Sequence, residues 1–130
     1  MIETEIGMSF ITTDRVGGIE LPGDLADAVE QYLRAIGMLG PVIEIPGAAR
    51  RIHLVTGLQN AATAIAWLLE NGATVHMDGA KISLPPAGSR DGSARWATAE
   101  SLKLPAAVAI SAAVRAAHRA RERHYTELAA

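Results

Sequence analysis

His53 is the side chain of this sequence whose position most directly raises the question of chemistry. It lies in the run RRIHLVTG, where the alternation of a β-strand places it on the opposite sheet face from Ile52 and Leu54. On an open face, its imidazole could meet a ligand or a phosphate. The alternative is a polar residue of that sheet face beside Arg51, and the sequence leaves both interpretations open.

One aspartate occupies a position from which carboxylates often reach metals or substrates. Asp14 ends a predicted strand and faces a glycine turn, although a turn-initiating aspartate is the alternative. Asp78 precedes Gly79 between two alternating runs, which predicts a β-hairpin. His118 and His124 are six residues apart and do not form a metal pair on one helix face. No metal site or cofactor is predicted from these residues alone.

The arginines offer two candidate binding surfaces. Arg95 and Trp96 are adjacent and could stack on a base, or the tryptophan could close the edge of a core. Arg115, Arg119 and Arg123 recur every four residues and form one stripe of a helix. Such a stripe either follows phosphates or is a solvated helix face with Glu122 and Glu127 as partial partners.

Composition restricts the class of protein. The 130 residues, 49% of them hydrophobic and 20% charged, suffice for one domain with a real core. The absence of cysteine excludes disulfides and thiolate metal sites. The start MIETEIGMSF lacks the features of a signal peptide, and no apolar stretch approaches membrane-spanning length. We therefore expect a soluble cytoplasmic domain with no membrane partner.

Charge is distributed unevenly along the chain. The net charge is −2, but residues 1–46 hold eight acidic and two basic residues, whereas residues 47–130 hold six and ten. This asymmetry could orient the molecule on a polyanion or an acidic partner, or it could be chance. Dinucleotide-binding, P-loop, zinc-protease and nucleophile-elbow motifs are absent from the sequence.

Periodicity and turn residues predict seven strands and three helices. Strands are expected over 7–14, 19–21, 42–45, 51–56, 74–77, 80–84 and 95–98. Helices are expected from 22–24 to 36, from a cap at Asn60 to Asn71, and from Pro105 to about Tyr125. The Gly- and Ser-rich residues 87–94 predict a mobile loop. The order indicates one α+β domain with a small antiparallel or mixed sheet and helices on one face.

One contiguous pattern resembles a known family. GPVIEIPG, RRIHLVTG, GATVHMDGAKISLPP and GSARW followed by Leu104-Pro105 resemble the bifunctional DNA primase/polymerase (prim-pol) domain of the archaeo-eukaryotic primase superfamily. The resemblance is clearest over residues 40–105, ITTDRVGGIELP continues it towards the amino terminus, and 106–125 form the last helix. It implies a single prim-pol-like domain over 1–130.

The resemblance also implies a site. In the family, carboxylates hold two divalent metals and a histidine contacts the nucleotide phosphates, and His53 matches that histidine. The first acidic motif falls at Thr12-Thr13-Asp14, with at most one carboxylate, and Thr74 stands where a later aspartate is expected. An active enzyme would use His53, Asp14 and Asp78 with Mg²⁺ or Mn²⁺, but one or two carboxylates are too few for two such ions.

Three hypotheses follow. The first is a degenerate, non-catalytic prim-pol-like module that binds DNA, RNA or a nucleotide in replication or a mobile element, with His53, Arg50, Arg51, Arg95 and Trp96 lining one face. The second is a small interaction or regulatory protein, whose Ala-rich last helix, 106–120, packs against a protein partner or a second copy. The third is an active nucleotidyltransferase.

Overall fold

The computed structural model describes residues 2–4, 7–85, 94–99 and 102–129, and within them a single compact α+β domain. The strands are β1 (Ile2–Thr4), β2 (Gly7–Ile11), β3 (Gly17–Pro22), β4 (Val42–Ile45), β5 (Arg50–Val55), β6 (Thr74–His76), β7 (Lys81–Leu84) and β8 (Arg95–Trp96). The helices are α1 (Gly23–Ala35), α2 (Ala62–Glu70) and α3 (Ala107–Ala129). The predicted fold class is confirmed. Of the predicted mobile loop, residues 87–93 lie outside the described residues.

The described strands form two antiparallel sheets. A five-stranded sheet has the order β6-β3-β5-β4-β8, and a three-stranded sheet has the order β1-β2-β7. Since side chains alternate along each strand, the pairing of Ile19 with His53 and of Glu20 with Ile52 fixes which residues share a face. The five-stranded sheet thus separates two layers of packing.

The helices cover one face of the five-stranded sheet, as predicted. Ile19 and Leu21 of β3 are fully buried there beneath apolar residues of all three helices, among them Leu33, Leu68 and Ile110. The other face holds a smaller core around Ile43, Ile52, Leu54 and Ile82. Ile82 belongs to β7, so the three-stranded sheet covers part of that face, and the sequence did not indicate this second layer.

The predicted hairpin at Asp78 and Gly79 is wrong. Both residues have positive φ, 57° and 88°, and the Ala80 N–H donates to the Met77 carbonyl at 3.2 Å, so the turn forms. The strands on either side then separate, because β6 pairs with β3 and β7 pairs with β2. Thr12 holds the turn to the end of β2: its N–H donates to the Ala80 carbonyl at 2.8 Å, and its hydroxyl accepts the Gly79 N–H at 3.1 Å.

Other element boundaries differ in small ways. The first predicted strand ends at Ile11 rather than residue 14, because the Thr13 hydroxyl accepts the Arg15 and Val16 N–H groups and forms a turn. Asn60 does not cap α2; it ends a short 3₁₀ turn, Leu58–Asn60, and the helix begins after Ala61 without a side-chain cap. In the part of the chain that the structure describes, no helix is long and apolar enough to span a membrane.

Candidate functional site

Two polar clusters lie on opposite faces of the five-stranded sheet. We name the inner cluster the group on the helix-covered face: Glu30 and Asp27 of α1, Arg51 and His53 of β5, Glu44 of β4 and Arg95 of β8. The outer cluster, on the other face, comprises Glu20 of β3, Arg50 of β5, and Thr74 and His76 of β6. The adjacent residues Arg50 and Arg51 therefore belong to different clusters, because neighbours on a strand point to opposite faces.

Arg51 is at the centre of the inner cluster. Its Nη1 donates to Asp27 Oδ1 at 2.6 Å and to Glu30 Oε2 at 2.9 Å, and its Nε lies 3.7 Å from Glu44 Oε2. Glu44 also accepts a hydrogen bond from Arg95 Nη2 at 2.6 Å. These contacts join the strands of the sheet edge to α1, and they balance the charges of both arginines with carboxylates.

His53 is buried beneath α1, with 1% of its surface exposed. Its Nε2 lies 3.5 Å from Glu30 Oε2, which is an electrostatic contact but too long for a hydrogen bond, and neither ring nitrogen has a hydrogen-bond partner. The expected alternation with Ile52 and Leu54 is confirmed. The expectation of an open face is wrong, because α1 closes it, whereas the alternative of a polar residue on the same face as Arg51 agrees with the strand register.

The carboxyl of Glu30 is stabilised in its ionised form. Burial alone raises the pKa of Glu30, but the neighbouring His53 and Arg51 outweigh burial and hold that pKa below its ordinary value. Since Glu30 is itself buried, with 6% exposure, its charge depends on these two neighbours. The inner cluster is thus an ion-pair network that fixes α1 to the sheet, with Glu30 and His53 at its buried end and Asp27 and Arg95 at its exposed end.

The outer cluster is half-buried. Arg50 Nε donates to Glu20 Oε2, and Arg50 Nη2 also reaches the carbonyls of Glu20 and Gly72 and the Thr74 hydroxyl. His76 Nε2 lies 3.0 Å from Glu20 Oε1 on the neighbouring strand. The register of β3 and β6 places both side chains on the same face of the sheet. Burial raises the pKa of Glu20, but hydrogen bonds from Arg50 and His76 hold it below its ordinary value.

The five residues predicted to line one nucleic-acid face do not share a face. His53, Arg51 and Arg95 belong to the inner cluster, whereas Arg50 and Trp96 lie on the other side of the sheet. Trp96 packs against the smaller core and so closes its edge. The three arginines are in ion pairs. That any of these residues binds nucleic acid stays a prediction.

Of the three residues of the catalytic hypothesis, the two aspartates are exposed and the histidine is buried. Asp14 and Asp78 are exposed on two turns that Thr12 holds together, whereas His53 is buried under α1. Across the described ranges, no group of three or more His, Asp or Glu side chains could hold a metal ion. The sequence did not assign Glu20, Glu30 and Glu44 to a site, yet they are the partners of the strand residues. Their proximity depends on the strand register and on the packing of α1, which local patterns do not show.

A further row of arginines lies on α3. Arg115, Arg119 and Arg123 are exposed and follow one another along one side of the helix; we name them the arginine row. Among the described side chains, none of the three forms an ion pair. Arg115 instead stacks on Trp67 of α2, with its guanidinium carbon 4.5 Å from the ring centroid. Arg121 is also exposed and lies 3.9 Å from Asp24 of α1.

The fold and these clusters define a small α+β domain with charged networks on both faces of its main sheet. Comparison with known proteins does not refine this description, because no family model, curated protein or solved structure matches the chain. The prim-pol resemblance therefore stays a prediction.

Proposed function

We propose that this chain is a non-catalytic nucleic-acid-binding module on a prim-pol-like scaffold, and that the arginine row of α3 contacts the phosphate backbone. The observation that supports the proposal is the contrast between two sets of arginines. Arg50, Arg51 and Arg95 are neutralised by carboxylates, whereas the arginine row is exposed and without carboxylate partners among the described side chains.

The geometry of the row suits a polyanion. Eight residues of α-helix rise about 12 Å, which is comparable to about three successive phosphates of one strand. A regular row of guanidinium groups at this spacing can follow a backbone without reading its sequence. Arg121 does not belong to the row: it is two residues from both Arg119 and Arg123, so it lies on the opposite side of the helix, 3.9 Å from Asp24 of α1.

The protein-partner hypothesis has less support. It relied on the Ala-rich face of α3, but Ala107, Ala109, Ile110, Ala113 and Val114 are buried in this chain's own core. The apolar face of α3 is therefore already covered by α1 and α2. The side of the helix that remains exposed carries the arginines.

Fluorescence anisotropy with labelled DNA and RNA, from low to physiological salt, tests the proposal. We expect binding that weakens with salt. On single strands, the plot of log affinity against log salt should be shallower by about 1.4 in the double variant Arg119→Ala with Arg123→Ala, because each lost phosphate contact accounts for about 0.7. The matched control is Lys81→Ala with Arg95→Ala, which removes two positive charges away from α3 and should retain the wild-type slope.

Two results would overturn the proposal. One is the absence of binding to DNA and RNA at low salt. The other is equal weakening in both double variants, because binding would then depend on positive charge elsewhere in the molecule as much as on the arginine row.

A further inference from the structure

A groove lies next to the arginine row, between the start of α2 and the side of α3. It encloses about 530 Å³ and is lined by Gln59, Asn60, residues 61–64, Val108 and Arg115. This volume is within the range of about 300–1,000 Å³ that is typical of small-molecule sites. The groove is open to solvent, so it can receive one part of a larger ligand.

Arg115 belongs to both the groove and the arginine row, and its guanidinium is held in place. Its guanidinium carbon lies over the Trp67 ring, 4.5 Å from the ring centroid. Trp67 in turn packs against the main core and meets the His118 ring edge-on, with centroids 6.0 Å apart and an interplanar angle of 79°. A planar guanidinium fixed in this way presents its other face as a surface on which an aromatic ring can stack.

The polar side chains of the groove suit a nucleobase. Gln59 and Asn60 are exposed, and within the described part of the chain their amide groups have no hydrogen-bond partners. An amide offers a donor and an acceptor together, which is the pattern that base edges present. Val108, which is 56% exposed, adds apolar surface, and the lining contains no carboxylate that would repel a nucleotide.

We infer that this groove is a nucleobase-binding subsite, in which an unpaired base stacks on Arg115 and is held by the amides of Gln59 and Asn60. The inference rests on the proposed function, because the phosphates that follow this base would continue along Arg119 and Arg123. It assigns the groove to a base of a single strand, whereas the arginine row alone would bind any phosphate backbone.

Binding of two single-stranded oligonucleotides of equal length tests the inference. One is an oligodeoxyadenylate, and the other has the same backbone with abasic sugars. We expect the wild-type protein to bind the abasic strand at least about fivefold more weakly, because the lower value for one stacked base corresponds to about that factor in affinity. Arg115→Lys keeps the charge but loses the planar group on which a base can stack. The ratio of its affinities for the oligodeoxyadenylate and the abasic strand should therefore fall to nearly one. Lys81→Ala is the control and should keep the wild-type preference.

The outcomes separate the two proposals. Equal affinity of the wild-type protein for both strands overturns the subsite and leaves the arginine row as a backbone-binding surface. An unchanged preference in Arg115→Lys also overturns the subsite, because stacking on Arg115 would then contribute nothing. Failure to bind either strand at low salt overturns the proposed function itself.

Discussion

The inner and outer clusters contain the same three kinds of side chain in different surroundings. Each has a glutamate between an arginine and a histidine: Glu30 lies between Arg51 and His53, and Glu20 lies between Arg50 and His76. The two arginines are adjacent in sequence. In the inner cluster, Glu30 of α1 and His53 beneath that helix are buried, whereas Glu20 and His76 of the outer cluster are partly exposed.

This difference determines what each histidine does. His76 forms a hydrogen bond to Glu20 at 3.0 Å and keeps contact with solvent. His53 is buried with two ring nitrogens that lack hydrogen-bond partners. A buried polar atom without a partner costs free energy that an exposed one does not. On the outer side of the sheet, the histidine therefore stabilises the fold through its hydrogen bond to Glu20. On the inner side, the histidine forms no hydrogen bond, and Glu30 receives its hydrogen bond from Arg51.

The largest difference between the clusters is expected when each glutamate loses its charge. Glu30→Gln should lower the free energy of unfolding by about 3 kcal/mol, because it breaks a buried ion pair with Arg51. Glu20→Gln should cost about 1.5 kcal/mol, since water can reach the groups that lose a partner. Urea unfolding followed by circular dichroism measures both losses. Equal losses would mean that burial under α1 does not distinguish the clusters.

The pH dependence of stability is the next difference in size. The pKa values of Glu30 and Glu20 lie below the ordinary 4.5 in the folded protein. The ionised carboxyls therefore favour folding, and this stabilisation is complete above pH 4.5 and is lost as the pH falls through the lowered values. Urea unfolding of the wild-type protein and of Glu30→Gln, from neutral pH to well below 4.5, should show a smaller loss in the variant. Parallel curves would show that Glu30 does not contribute.

The smallest expected effects come from replacing each histidine by leucine. His53→Leu removes two unpartnered nitrogens from the core but also one of the two neighbours that stabilise the Glu30 charge. Because these effects oppose each other and Arg51 still bonds Glu30, the free energy of unfolding should change by less than about 0.5 kcal/mol. His76→Leu loses the hydrogen bond to Glu20 and should destabilise the fold by about 1 kcal/mol. Thermal unfolding of the two variants in one buffer tests this, and a shift of the same sign and size in both would contradict the comparison.

Local signals in the sequence predicted the elements but not how they assemble. Gly23 and Gly37 lie at the ends of α1, where turn residues were expected to be, because helix ends depend on neighbouring residues. The turn at Asp78 and Gly79 was also found locally. The pairing of the two strands that flank the turn was not predicted correctly. β7 pairs with β2 and β6 pairs with β3, and both partners lie far away in sequence.

The site was predicted less well for the same reason. The separation of Arg50 and Arg51 follows from strand alternation, but the cover over His53 depends on where α1 packs, and a strand pattern holds no information about that. The spacing of the arginine row was visible in the sequence. Its exposure and the stacking of Arg115 on Trp67 depend on the packing of α2 against α3.

The separation of β6 and β7 after their turn also affects how the chain can fold as it is synthesised. β2 consists of residues 7–11, yet one of its two neighbours, β7, consists of residues 81–84. Joining such distant segments costs loop-closure entropy before any contact is gained, which slows folding. On the ribosome, β2 therefore keeps an unpaired edge until most of the chain has emerged, and the three-stranded sheet is completed late.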